Sequence, residues 1–410
     1  MSFPEPQSQF GWIDYNEKDA QRMREVLAAF DDKGTIDSLG LGVVRDAIAD
    51  QLMPGISTIQ TRARYFLFVP WLCRAMEADR VGPAQFLQRL RQLETSLIES
   101  LREQQDPGDG VIGYRARERL SRLPSSIYWN GLGVFGIRQM AVSINEYRGL
   151  LPRLAMQATE RDDDGEQTAR PRHLWDKGLP RPPAGFPTAP TMLQLTAEES
   201  DYLVGKISAQ CHGTLIAELA RDLSIDRDRP LPWELALPNA PPVLREVLFH
   251  ARNFSDLVYG AQVLYNLLLA RRAAKLLEMD TEALQEELVD ELNNWSAIVQ
   301  ERNRTLRDWL DSESFWLVVE RVAPASMRTR RFVHTWAGLA LADPAGIQSS
   351  KAAESLIIER EVALKGKLAR LKELRALENW NGQAFGRGQM TFRWGNAQRI
   401  LDDLQFHKEA

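Results

Sequence analysis

The sequence predicts a mainly α, multi-domain helical protein with at most minor β structure. Three observations point there. Apolar residues recur every three or four positions in segment after segment, as in Phe86, Leu90, Leu93, Leu97 and Leu101. Capping-box pairs stand in front of several such segments: Asp14 with Glu17, Ser57 with Gln60, and Thr196 with Glu199. The chain has 410 residues, more than one ordinary core supports, and its 44% apolar and 26% charged residues are globular values.

Taken in order, Ala20, Met23, Leu27 and Phe30 follow the first capping box at helical spacing. Val44, Ala47, Ile48 and Leu52 form the next stripe, which stops at Pro54-Gly55. Ser57 should open a helix that carries Arg62 and Arg64 and then the unbroken apolar run Tyr65 to Cys73. That run is buried nearly all round, is too short to cross a bilayer, and should kink or break at Pro70. The stripe from Phe86 to Leu101 follows, then a turn at Asp106–Gly110 and a short basic helix over Arg115–Leu123, ending at Pro124. Residues 125–136 and Ile137–Leu151 read as two helical pieces in a helix-turn-helix-like arrangement.

Residues 156–192 change character. An acidic Asp162-Asp-Asp-Gly165 precedes a proline-rich stretch, a linker or surface excursion whose His173-Leu-Trp175 suits docking onto a neighbour. Helices resume after Thr196 and again after the proline-rich break at 230–242, through Val243–Met279 and 281–302. Ser314–Val322 is the best strand candidate of this half, and 351–378 reads as one long charged helix. The expected domains are an N-terminal helical one (1–155), the linker (156–192), a central helical one (193–320) and a basic C-terminal region (321–410).

A net charge of −5 excludes a uniformly basic coat but not a local basic face. Segment 111–155 holds seven arginines against Glu118 and Glu146. Segment 360–399 holds nine lysines and arginines against Glu361, Glu373 and Glu378. Arginine-rich helical hairpins and aromatic–basic interleaving such as Phe392-Arg-Trp394 suit phosphate contact. The same charges also solvate exposed helices, as the Glu361–Lys365 spacing illustrates. The acidic stretch 278–291 contains no base and reads as a solvated face or a docking surface for a basic partner.

Bond-making groups are hard to find. The five histidines are scattered without H-E-x-x-H, and no C-x-x-C accompanies the two cysteines, Cys73 and Cys211, which read as buried thiols. Gly131-Leu-Gly-Val-Phe-Gly136 matches G-x-G-x-x-G but lacks a strand before it and an acid roughly 20 residues on. Gly205-Lys206 lacks the Ser or Thr of a P-loop, and no G-x-S-x-G elbow occurs. No metal and no cofactor is expected. With no leader-like N-terminus and no membrane-length apolar window, a cytoplasmic location is expected.

Several blocks together resemble the bacterial domain-of-unknown-function 6361 family (DUF6361). They are Gly11-Trp-Ile-Asp14, Leu39–Asp46, Ser57–Trp71, Ile127-Tyr-Trp129, His250–Ser255, Gly260–Asn266, Arg375–Trp380 and Phe392–Trp394. The likeness spans nearly the whole chain. The family brings no established active site, so it assigns no catalytic residue. Its members are often encoded beside helicase, nuclease or phospholipase-D-type proteins in phage-defence clusters. The resemblance therefore implies a non-catalytic accessory subunit of an anti-phage complex, in contact with DNA and such a partner, and able to form a homo-oligomer. Candidate nucleic-acid-binding residues are Arg62, Arg64, Arg138, Lys367, Arg370, Arg375 and Arg393. Two alternatives stand beside this: a protein–protein scaffold without nucleic-acid contact, and a metal-dependent nuclease of unfamiliar pattern.

Overall fold

The computed structural model describes residues 37–157 and 174–405. The capping box at Asp14, the stripe from Ala20 to Phe30, and residues 158–173 of the linker, including Asp162–Gly165 and His173, lie outside the described residues. Among the described residues there are fifteen α-helices and no strand; the only β pairing is an isolated bridge between Arg138 and Trp175. The protein is mainly α, as the periodicity predicts. The chain divides into two compact units that interleave along the sequence.

The first unit takes 43–255, 311–325 and 390–410. It contains α1 (Gly42–Leu52), α2 (Tyr65–Ala78), α3 (Phe86–Arg102), α4 (Pro124–Val134), α5 (Ile144–Gln157), α6 (Ala197–Gln210) and α7 (Leu215–Arg221). It also holds the start of the long α8 (Pro242–Leu277), then α11 (Ser314–Glu320) and α15 (Trp394–Gln405). The second unit takes α8 from Asp256 onward, with α9 (Glu282–Glu301), α10 (Asn303–Leu310), α12 (Met327–Ala342), α13 (Lys351–Lys365) and α14 (Leu374–Glu378).

Helix α2 is the centre of the first unit. Every residue from Tyr65 to Cys73 is buried. Phe66 packs against Tyr128 and Phe135, each ring centre 4.8 Å away. The helix runs on through Pro70. The described end of the proline-rich excursion is strapped to it. The Trp71 indole donates to the Pro180 carbonyl at 2.7 Å, Phe186 packs on Phe68 and Trp71, and the Trp175 indole donates to Glu77 at 3.0 Å.

Ser57 does not start a helix. Its backbone N–H donates to the Gln60 side chain at 3.1 Å, but its own hydroxyl has no partner among the described residues. Residues 57–64 are turns, because Gln60 is spent on the backbone beside it and donates to the Gly55 carbonyl at 3.0 Å. The Arg115–Leu123 segment holds only a 3₁₀ turn, Arg117–Arg119, and Pro124 opens α4 instead of closing a helix, a place where proline's missing N–H costs nothing. Gly136, at φ +64°, ends α4, and Ile137 N–H donates back to the Leu132 carbonyl at 3.0 Å. Residues 137–143 are then drawn toward Trp175, so the second helix of the pair begins at Ile144, not Ile137. The glycines of Gly131–Gly136 serve packing. A Cβ on Gly131 would stand 2.5 Å from the Gly55 carbonyl oxygen.

Two further expectations change. Ser314–Val322 is helical: α11 buries Phe315, Trp316, Val318 and Val319, with Phe315 stacked 5.2 Å from Phe254. Its β-branched residues are satisfied by burial, and no neighbouring strand exists among the described residues to pair with. The charged helix over 351–378 breaks at Gly366, whose φ of +53° with ψ of −120° lies outside the regions open to a residue with a Cβ. By contrast the capping box at Thr196 forms as the sequence implies.

Glu94 on α3 is fully buried. One oxygen accepts the Ser125 N–H at 2.6 Å and the other has no partner among the described residues. Burial outweighs that bond and pushes its pKa to about 7 from an ordinary 4.5. Because the folded value is raised, stability is full at low pH and declines as pH rises from 4.5 through 7, by about 3 kcal/mol in all. Denaturant unfolding of Glu94→Gln from pH 5 to 8 should lack that decline; an equally steep decline in the variant would contradict the assignment.

Candidate functional site

Four of the seven sequence-derived cations are committed inside the first unit. Arg62 grips Asp403 through Nε, at 2.8 and 3.0 Å, and through Nη2, at 2.7 Å, and donates to the Asp109 carbonyl. Asp403 also accepts the Ala63 N–H at 2.7 Å. Arg64 is buried, pairs with Glu199 at 2.8 Å, donates to the Met192 carbonyl and lies over the Phe68 ring. Glu199 holds Arg64 with one oxygen and closes the capping box of α6 with the other. Arg138 donates to the carbonyls of Met140 and Trp129 and sits over the Trp129 ring. Arg393 pairs with Asp46 and Asp50 of α1 and donates to the Ile56 carbonyl.

The other three belong to the second unit, on the segment that follows α13. Glu361, fully buried, organises this segment. One of its oxygens accepts the Tyr265 hydroxyl at 2.5 Å and the Lys365 ammonium at 3.1 Å; the other accepts the Leu371 N–H at 2.8 Å. A single carboxylate thus ties α8, the end of α13 and the chain beyond it. Burial lowers the Lys365 pKa, an effect its pairing with Glu361 opposes. Ala369, Leu371, Ala376, Leu377 and Trp380 point inward.

Between these anchors, Lys367, Lys372 and Arg375 are exposed and have no carboxylate partner among the described residues. Arg370 is half-buried and lies 5.0 Å from the centre of the Phe385 ring, with no carboxylate paired to it among the described residues. Over residues 365–375 five cations meet one acid, Glu373. The C-terminal end of α8 adds to them: Arg272 donates to the Lys372 carbonyl at 2.9 Å, with Arg271 and Lys275 alongside on the same helix. Sequence reasoning missed this trio. Its signal was Arg271-Arg272-Ala-Ala-Lys275 in the last turns of a helix, where cations also complement the helix dipole.

The acidic stretch does find a base in space. Arg387 bridges Glu287 and Glu291 of α9, and Tyr259 donates to Glu291. Glu282, Glu286 and Asp290 remain exposed without a cation among the described residues. Among the described residues, no three His, Cys, Asp or Glu side chains stand close enough to hold a metal ion. No described helix is long and apolar enough to cross a membrane.

The two kinds of cation should differ in stability assays. Glu199→Ala would leave Arg64 buried and unpaired and should cost about 3–5 kcal/mol. Lys367→Ala should change stability by less than about 0.5 kcal/mol. Equal losses in urea unfolding would contradict the division.

No curated protein and no solved structure matches the chain. One family model does, over residues 7–407, and it covers nearly all of the sequence from the Gly11 block to α15. The chain belongs to the family of unknown function DUF6361.

Proposed function

We propose that the chain is a non-catalytic accessory subunit of a bacterial anti-phage complex, and that the basic face of its second unit holds nucleic acid for a helicase- or nuclease-type partner. The observation that carries the reading is the set Lys367, Lys372 and Arg375, exposed and without a carboxylate partner among the described residues, on a segment that buried Glu361 anchors at Leu371. Cations paired with carboxylates have little left to give a phosphate. These three are open to an outside anion, and phosphate contact of this kind positions a strand without reading its bases. The operon company implied by the family resemblance supplies the partner class.

A scaffold reading keeps one observation of its own. The exposed Glu282, Glu286 and Asp290 of α9 offer another copy's basic segment a complementary face.

Charge reversal separates the two. The triple variant Lys367→Glu, Lys372→Glu, Arg375→Glu should lose salt-sensitive binding to oligonucleotides. The slope of log affinity against log salt should fall in magnitude by about 2 for single strands, three cations at roughly 0.7 each. Retained binding with an unchanged slope, or loss of self-association in place of binding, would overturn the nucleic-acid reading. Arg375→Gln alone should reduce the slope by a third of that amount.

A further inference from the structure

The second unit also carries a groove of the opposite charge. It lies between the end of α8 and the start of α9 and has a volume of about 530 Å³. Buried Thr281 fixes its shape: the hydroxyl donates to the Ala270 carbonyl at 3.0 Å and accepts the Gln285 amide at 2.9 Å. Glu282, Gln285, Glu286 and Val289 recur at helical spacing, so one face of α9 forms a wall. Half-buried Ala274, Met279 and Val289 make the lining apolar, and exposed Asp280, Glu282 and Glu286 make it anionic. Arg387 occupies the neighbouring Glu287 and Glu291 and leaves these acids without a cation among the described residues. The cation of the lining, Arg271, donates to the Gln348 carbonyl at 3.0 Å.

This lining rules out two kinds of occupant. A polyanion would face three carboxylates, and like charges across a contact repel. A metal ion needs several ligands that converge, and no three described His, Cys, Asp or Glu side chains do so. What fits is a cation carried beside an apolar side chain.

The chain itself presents such a feature. Gly366–Leu368 is a 3₁₀ turn, and Ala369 and Leu371 behind it are buried. With those two residues facing inward, Lys367 and Leu368 face outward, and Leu368 is 73% exposed. The Lys372 N–H donates back to the Ala369 carbonyl at 3.2 Å, which keeps exposed Lys372 in the next turn. Turn and groove are thus complementary in sign and in polarity: lysines for Glu282 and Glu286, a leucine for Ala274, Met279 and Val289.

We infer that the α8–α9 groove receives the Lys367–Lys372 turn of a second copy of the chain, with Leu368 entering the groove while Lys367 and Lys372 meet Glu282 and Glu286. The contact joins two different patches, so each copy brings one of each. The inference extends the complementary faces of the scaffold reading, on which it rests. It stands beside nucleic-acid binding as well, because a polyanion and a second copy would compete for the same lysines.

Sedimentation velocity of the full-length chain over a range of concentrations tests it. Self-association is expected at low salt and should weaken as salt rises. Glu282→Lys with Glu286→Lys, and separately Lys367→Glu with Lys372→Glu, should each weaken association by about tenfold or more, since like charges then face each other. Mixed in equal amounts, the two double variants should associate again, because each supplies the charge that the other has reversed. Unrelated surface defects would not restore one another. Leu368→Ser should weaken association while leaving its salt dependence in place. All five positions are exposed, so each variant should still unfold in a transition like that of the parent chain. A chain that stays monomeric at every concentration, double variants that associate as the parent does, or a mixture that stays apart overturns the inference. The groove variant retains Lys367, Lys372 and Arg375, so its oligonucleotide binding reports on the nucleic-acid reading separately.

Discussion

Two carboxylates hold the entrance of α2, whose run from Tyr65 to Cys73 is wholly buried. Asp403, near the C-terminus, takes Arg62; Glu199, at the start of α6, takes Arg64. From Tyr65 to Cys73 helix α2 is apolar on every side, so this stretch must be enclosed on every side. Enclosure would strand the unpaired N–H groups and the arginines at its start, and a buried charge without a partner is among the costliest defects a fold can carry. The two acids remove that cost. They also draw the distant segments that bear them, α6 and α15, onto the first unit's core. Burial raises the Asp403 pKa, an effect that its bonds to Arg62 and the Ala63 N–H oppose.

Charge thus has two uses. In the first unit, Arg62, Arg64, Arg138 and Arg393 are fastened to carboxylates, carbonyl groups and aromatic rings within the same unit. In the second unit, one buried acid, Glu361, fixes backbone and Lys365 together, while Lys367, Lys372 and Arg375 face outward. A chain of net charge −5 therefore carries a compact basic face without being a basic protein. That face owes its position to Glu361 and its composition to short elements that break the helical pattern, at Gly366 above all.

Much of the fold was legible from spacing. The stripes Val44–Leu52 and Phe86–Leu101 and the capping box at Thr196 express local rules, and each appears where those rules place it. What escaped depends on contacts far apart in sequence. Gln60 belongs to a turn because Gly55 and α4 approach it. Residues 137–143 stay out of the helix because Trp175 returns to pair with Arg138. The apolar run at Ser314 is short enough for either period, and burial against Phe254 decides it. The same limit applies to the site. A count of arginines cannot tell Arg64, matched to Glu199, from Arg375, matched to nothing among the described residues.

The central claim is that outward-facing cations of the second unit, and not the arginines around α2, meet the polyanion. Lysine-modification footprinting with and without an oligonucleotide tests it most directly. The account predicts protection of Lys367 and Lys372, with Lys177 of the first unit, also exposed, unchanged. Protection of Lys177 with Lys367 and Lys372 left reactive would contradict it.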